Sequence, residues 1–397
     1  MTNLIRKLAW CAAVVVTAAQ AAQAQPYIPA SGQQVIETLP RRGDPLQQEL
    51  RRLRAQLQAQ PGDLTLASDI ARRYIKLARS ETDPRYLGYA QAALAPWWAL
   101  RAPPPQVRLL RATLLQSTHQ FTPAIADLKA VLADDPKNPQ AWLTLATIQT
   151  VQGDYAGATT SCAHVSSLSI ELVTVSCIAG VGAATGRAAA SEQLLDLTLE
   201  RSPNAPEELR VWASTTLAEI AQRLGESTLA EQRYRRALTL APRDSYLLGA
   251  YADFLLEQRR PGEVLMLLAD QTRIDALLLR RALALQQQGN QRRQLDADIA
   301  ELTARFEAAM QRGDSVHQRE QARFELLLRR DAGRALVLAR QNWEVQKEAA
   351  DARIYLDAAL RAGDARAAQP VVAWLAQHHT EDVAAARLIQ QLNKGRR

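Results

Sequence analysis

The stretch PQAWLTLATIQTVQGDYAGATTSCAHVSSLSIE, residues 139–171, decides the fold, because it reads as two short helices joined by a glycine turn. Trp142, Leu145 and Ala146 stand three and four residues apart and so share one helical face, which Val151 closes. Gly153 supplies a left-handed stop, and Asp154 caps a second helix that carries Ala158 and Cys162. The preceding stretch holds Ala112, Ala124, Leu128 and Val131, with Pro136 after them. Thirty-four residues further on stand Ala146, Ala158, Cys162 and Val165. One unit is therefore used again.

The spacing has a physical reason. Two antiparallel helices that cross closely need a small residue at the crossing, which Ala146 and Ala158 supply, and bulk beside it, which Trp142 and Leu145 supply. Pro136 cannot continue a helix and so ends one unit before the next begins. A single pair cannot bury its own apolar faces, so neighbours must stack. These residues resemble the tetratricopeptide repeat. The resemblance implies an all-α protein, an α-solenoid of stacked antiparallel helix hairpins wound into a right-handed superhelix with a concave groove.

Outward from this unit, the best repeats are 105–138, 139–172, 211–244 and 245–274, within an array spanning 46–290. Residues 291–397 read as degenerate hairpins of the same kind. Val173 to Asn204 is a weaker repeat with Gly180, Gly182 and Gly186 among small residues. No GxxxxGK[ST] spacing is present, so close helix contact accounts for these glycines better than a nucleotide loop. Ser80 to Tyr86 lengthens one turn beyond the period. Leu50, Leu53 and Leu57 form an apolar stripe that suits a cap on the array.

Composition agrees with helix: aromatic residues make up only 5% of the 397, and no Val/Ile/Thr alternation is sustained. At the start, Arg6 and Lys7 precede an apolar run from Leu8 to about Ala19, and Ala22-Gln23-Ala24 offers a cleavage site. Residues 1–24 read as a signal peptide and 25–45 as a flexible leader. Loss of Arg6 and Lys7 takes the formal charge from +7 to +5 and leaves no transmembrane segment. The expected place is the periplasm or cell envelope, and the chain resembles exported bacterial tetratricopeptide repeat proteins. Basic residues are interleaved with Asp and Glu, as solvated helix faces are, so no nucleic acid is expected as a partner.

The five histidines, His119, His164, His317, His378 and His379, have no carboxylate or cysteine at ligand spacing. No GxSxG, HExxH or acidic-pair signature occurs. No catalytic residue, metal or cofactor is expected. The function expected is therefore a scaffold holding a protein or peptide segment. The alternatives are a carbohydrate- or peptidoglycan-binding module using Trp97 or Trp98, and an enzyme with a site in the C-terminal region. The resemblance places Trp212, Glu219, Arg223, Tyr246, Asp253 and Glu257 along the groove. Two aromatics beside carboxylates suit a ligand with apolar anchors and a basic group; otherwise Trp212 and Tyr246 pack between units and the acids are solvated. Cys162 and Cys177 fall on the second helix of one unit and the first of the next, so in an oxidising compartment they suit a disulfide. Otherwise they are two small buried residues.

Overall fold

A computed structural model describes residues 31, 44–81, 83, 85–311, 313 and 318–394. The expected signal peptide, nearly all of the leader, and His317 lie outside the described residues. Among them are twenty-one α-helices and one π-helical turn, and no strand. Contacts divide the chain after Arg52, within the first helix, α1 (Pro45–Ala59). The long second unit is described by itself.

Its hairpins follow in order: α2 (Leu64–Glu81) with α3 (Arg85–Ala93), then the short α4 (Ala95–Trp98), α5 (Pro105–Ser117) with α6 (Phe121–Asp134), and α7 (Pro139–Gln152) with α8 (Tyr155–Val165). Next come α9 (Glu171–Ala184) with α10 (Ala188–Arg201), α11 (Glu207–Leu224) with α12 (Ser227–Leu240), α13 (Ser245–Glu257) with α14 (Pro261–Leu267), and α15 (Asp275–Gln288) with α16 (Arg292–Gln311). The C-terminal part comprises α17 (Gln318–Phe324) running into the π-turn Glu325–Arg329, α18 (Ala332–Val345), α19 (Ala349–Arg361), α20 (Gln369–Gln377) and α21 (Val383–Lys394). From α5 to α15, each first helix packs on its partner and on the first helix of the next hairpin. This is the stacked-hairpin solenoid that the repeat spacing implies.

The local chemistry explains the turns. Gly153 ends α7 with φ of 78°, a left-handed conformation without penalty only for glycine, and the Asp154 carboxylate accepts from Gly157 N at 2.9 Å to start α8. Asn138 caps α7 and Asp244 caps α13 in the same way. At the helix crossings Ala112, Ala124, Ala146, Ala158, Ala218, Ala230 and Ala252 are all 0–1% exposed, so any longer side chain there must push two backbones apart. Cys162 and Cys177 are disulfide-bonded between α8 and α9, with Cα atoms 5.7 Å apart.

The glycine run resolves residue by residue. A Cβ on Gly182 would meet Ser191 Oγ at 2.3 Å, so this is a close crossing, whereas Gly180 has open space beside it. Trp97 and Trp98 are both half-buried, and Trp98 packs against the core between α5 and α7. No helix among the described residues is long and apolar enough to cross a membrane.

Candidate functional site

The ends of α7, α9, α11 and α13, with the turns after them, make up the face expected to be an open groove. The protein's own C-terminal hairpins lie against it. Lys347 N donates to Val151 O at 2.8 Å, Thr380 Oγ1 to Ala184 O at 3.1 Å, and Ala188 N to the Glu381 carboxylate at 2.8 Å. Arg353 reaches Glu257 at 3.1 Å and Arg323 reaches Asp253 at 2.6 Å. The Trp374 ring is so close to Gly153 that a Cβ there would approach within 2.3 Å, and His379 crowds Gly186 at 2.8 Å. The expected free groove is thus corrected: degenerate hairpins that stack less regularly fold back and cover part of it.

A cavity of about 290 Å³ remains between the two layers. Four of the residues expected to line a groove meet in it: Glu219, Arg223, Tyr246 and Asp253. Glu257 lines the clefts beside it. Trp212 is not brought there. It is half-buried and packs with Trp374 on the cluster of Ala146, Tyr155, Cys177 and Val181, because the bulky ring fills the joint between units. From the C-terminal side the cavity receives Arg319, Lys347, Glu348, Arg353 and Trp374, none of which carries a repeat signal that sequence reasoning could have used.

The charges are not equally satisfied. Asp253 is clamped between Arg280 at 2.5 Å and Arg323 at 2.6 Å; burial works to raise its pKa, yet the two guanidinium groups hold it below the ordinary value. Arg319 pairs with Glu348 at 2.5 Å and Asp351 at 2.7 Å, and Arg353 pairs with Asp382 at 2.9 Å. Among the described residues Glu219 has no such ion pair. It accepts from the Tyr246 hydroxyl at 2.6 Å. Burial pushes its carboxyl up to about 7, helped by the neighbouring charge of Glu348 and opposed by Tyr246, Arg223 and Arg353. The Glu219 charge in turn pushes the Tyr246 hydroxyl well above its usual range, so it stays a donor at neutral pH.

Among the described residues two cations also lack a carboxylate partner. Arg223 donates to Ala183 O while its Nε is buried with no partner, and burial pulls its pKa down. Lys347 sits over Trp374 and Trp343, 5.6 and 6.0 Å from the ring centroids, and burial lowers it as well. The cavity therefore offers an accessible aromatic edge, since Tyr246 is 63% exposed, beside a poised carboxyl and two under-used cations. Such an arrangement can bind a small group of mixed apolar and charged character.

The tetratricopeptide repeat family model matches residues 115–166. Residues 115–166 form a tetratricopeptide repeat. That match spans the last turn of α5 and all of α6, α7 and α8, and further helix hairpins stack on both sides of it. No curated protein matches the sequence. Among solved structures, the Cut9–Hcn1 hetero-tetramer of APC/C aligns at 10% identity and TM-score 0.40, over 87% of this chain and 52% of that one. The chain thus spans about half the length of that relative. A tetratricopeptide repeat protein from Parabacteroides merdae aligns at 13% identity and TM-score 0.36, over 72% and 98% of the two chains. The human IFIT1 dimer with PPP-AAAA aligns at 14% identity and TM-score 0.43, over 88% and 86%.

Proposed function

We propose that the chain is an exported scaffold of the bacterial cell envelope that holds a short segment of a protein partner in the cavity between the repeat array and the C-terminal hairpins. The observation that carries this is Tyr246: it is a large aromatic side chain left accessible inside a concavity, hydrogen-bonded to a carboxyl that makes no ion pair among the described residues. An apolar residue of the partner packs on Tyr246 and an adjacent Lys, Arg or amino group pairs with Glu219. A volume of about 290 Å³ suits two or three side chains rather than a long extended peptide. Export is supported by the charged and apolar start with its Ala22-x-Ala24 site, and by the Cys162–Cys177 disulfide, which persists in oxidising compartments.

A photo-crosslinking amino acid placed at position 246 tests the reading in envelope preparations, with the same group at Arg236, exposed on a second helix, as control. A discrete crosslinked protein at 246 and none at 236 is expected. Equal products at both positions, or none at 246, would overturn it. Amino-terminal sequencing checks export: the mature chain should begin at Gln25.

A further inference from the structure

Next to this cavity, the ends of α13 and α15 meet the π-turn and α21 around a second cleft of about 790 Å³. Its basic lining is Arg259, Arg323, Arg330, Arg361 and Arg387, with no lysine. Arg323 is answered by Asp253 at 2.6 Å and Arg361 by Asp357 at 2.8 Å. Arg259, Arg330 and Arg387 make no side-chain hydrogen bond or ion pair among the described residues. The two acids of the lining are already engaged: Asp253 by Arg280 and Arg323, and Glu257 by Arg353 at 3.1 Å and Gln222 at 2.8 Å. Three uncompensated guanidinium groups thus surround one concavity.

The backbone adds a separate observation. Arg259 and Arg330 both take the left-handed conformation, each with φ of 59°. At the ends of α7, α11 and α15 that conformation belongs to Gly153, Gly225 and Gly289. Glycine takes it freely; any other residue pays sterically. Among the described residues the four left-handed positions that are not glycine all close a helix: Gln120 N bonds to Leu115 O at 2.8 Å, Arg260 N to Leu255 O at 3.0 Å, Asp331 N to Glu325 O at 2.9 Å and Thr380 N to Leu375 O at 3.0 Å. Helix closure thus sets the conformation at 259 and 330, but it does not call for arginine there, where glycine would serve. The two turns instead set two guanidinium groups at one cleft.

We infer that this cleft binds a multiply charged oxyanion, bearing phosphate or carboxylate groups, through Arg259, Arg330 and Arg387. The planar guanidinium fork matches two oxygens of either group, which a lysine ammonium does not. The site is separate from the Tyr246 cavity, and its test does not depend on that reading.

Calorimetric titration of the purified chain with tripolyphosphate and with citrate, at low and high salt, separates the two anion sources. At least one binds, and binding weakens steeply as salt rises. The decisive variant replaces both strained arginines, Arg259→Gly with Arg330→Gly. It loses at least tenfold in anion affinity while its melting temperature stays the same or rises, because glycine relieves the backbone. Arg387→Gln lowers affinity without changing melting, and Tyr246→Ala leaves anion binding intact. The inference is overturned if neither anion binds, if the double variant binds as the parent does, or if it loses binding and melting temperature together. Binding of a hexa-aspartate peptide without either small anion would also overturn it, in favour of a protein contact.

Discussion

Trp212 and Tyr246 share one reading in the repeat register, yet their surroundings separate them. Trp212 packs in the joint between units, so Trp212→Ala is expected to lower stability by about 2 kcal/mol, less than the 3–5 of a fully buried aromatic. Tyr246→Ala should leave the melting temperature unchanged, because its ring touches solvent. Thermal melts of both variants check this pair. Glu219 makes a prediction of its own. Its carboxyl titrates near 7 in the folded chain against an ordinary value of 4.5. Below 4.5 it is protonated in both states; between 4.5 and 7 only the unfolded chain has lost the proton, so stability contributed by the neutral form drains away as pH rises through that window. Glu219→Gln keeps a neutral group throughout. Denaturant melts should show the parent falling relative to the variant by on the order of 1 kcal/mol between pH 5 and 7.5, after allowance for solvent screening. Parallel curves would show that Glu219 is not so poised.

At the scale of one hairpin, Gly153 and Gly289 provide a matched pair. Both end a first helix with φ of 78°, but a Cβ on Gly153 meets the Trp374 ring at 2.3 Å and one on Gly289 meets nothing within 4 Å. Gly289→Ala therefore carries left-handed strain alone, about 1 kcal/mol, and Gly153→Ala should cost at least about 1 kcal/mol more. Chemical denaturation of the two variants measures the difference, and equal losses would mean that the Trp374 contact yields. The turn itself was readable in the sequence, because a glycine stop, a capping aspartate and alanines three and four apart are local signals. Trp374 was not, since nothing in residues 349–377 marks a partner two hundred positions earlier. The same holds for the site: Glu219, Arg223, Tyr246 and Asp253 follow from the repeat register, whereas Arg319, Lys347, Glu348 and Arg353 arrive through long-range packing that has no period.

For the whole chain, the Cys162–Cys177 link joins neighbouring hairpins across fifteen residues. Its loss in Cys177→Ser is expected to cost about 3 kcal/mol, chiefly by freeing the denatured chain, and denatured non-reduced mature protein should show no reactive thiol. The other long-range ties have a consequence for timing. An open stack of repeats forms by zipping along neighbours, and its unfolding need not be concerted. Here Ala188 bonds to Glu381 and Ala184 to Thr380, contacts between residues separated by 193 and 196 positions. Closing loops of that length costs entropy before any contact rewards it, so docking of the last helices is expected to be the slow event in refolding. During synthesis, the inner ends of the central repeats stay uncovered until the final helix has left the ribosome. On the export proposed above, that delay would keep the chain incompletely folded for as long as a translocation machinery needs it to be.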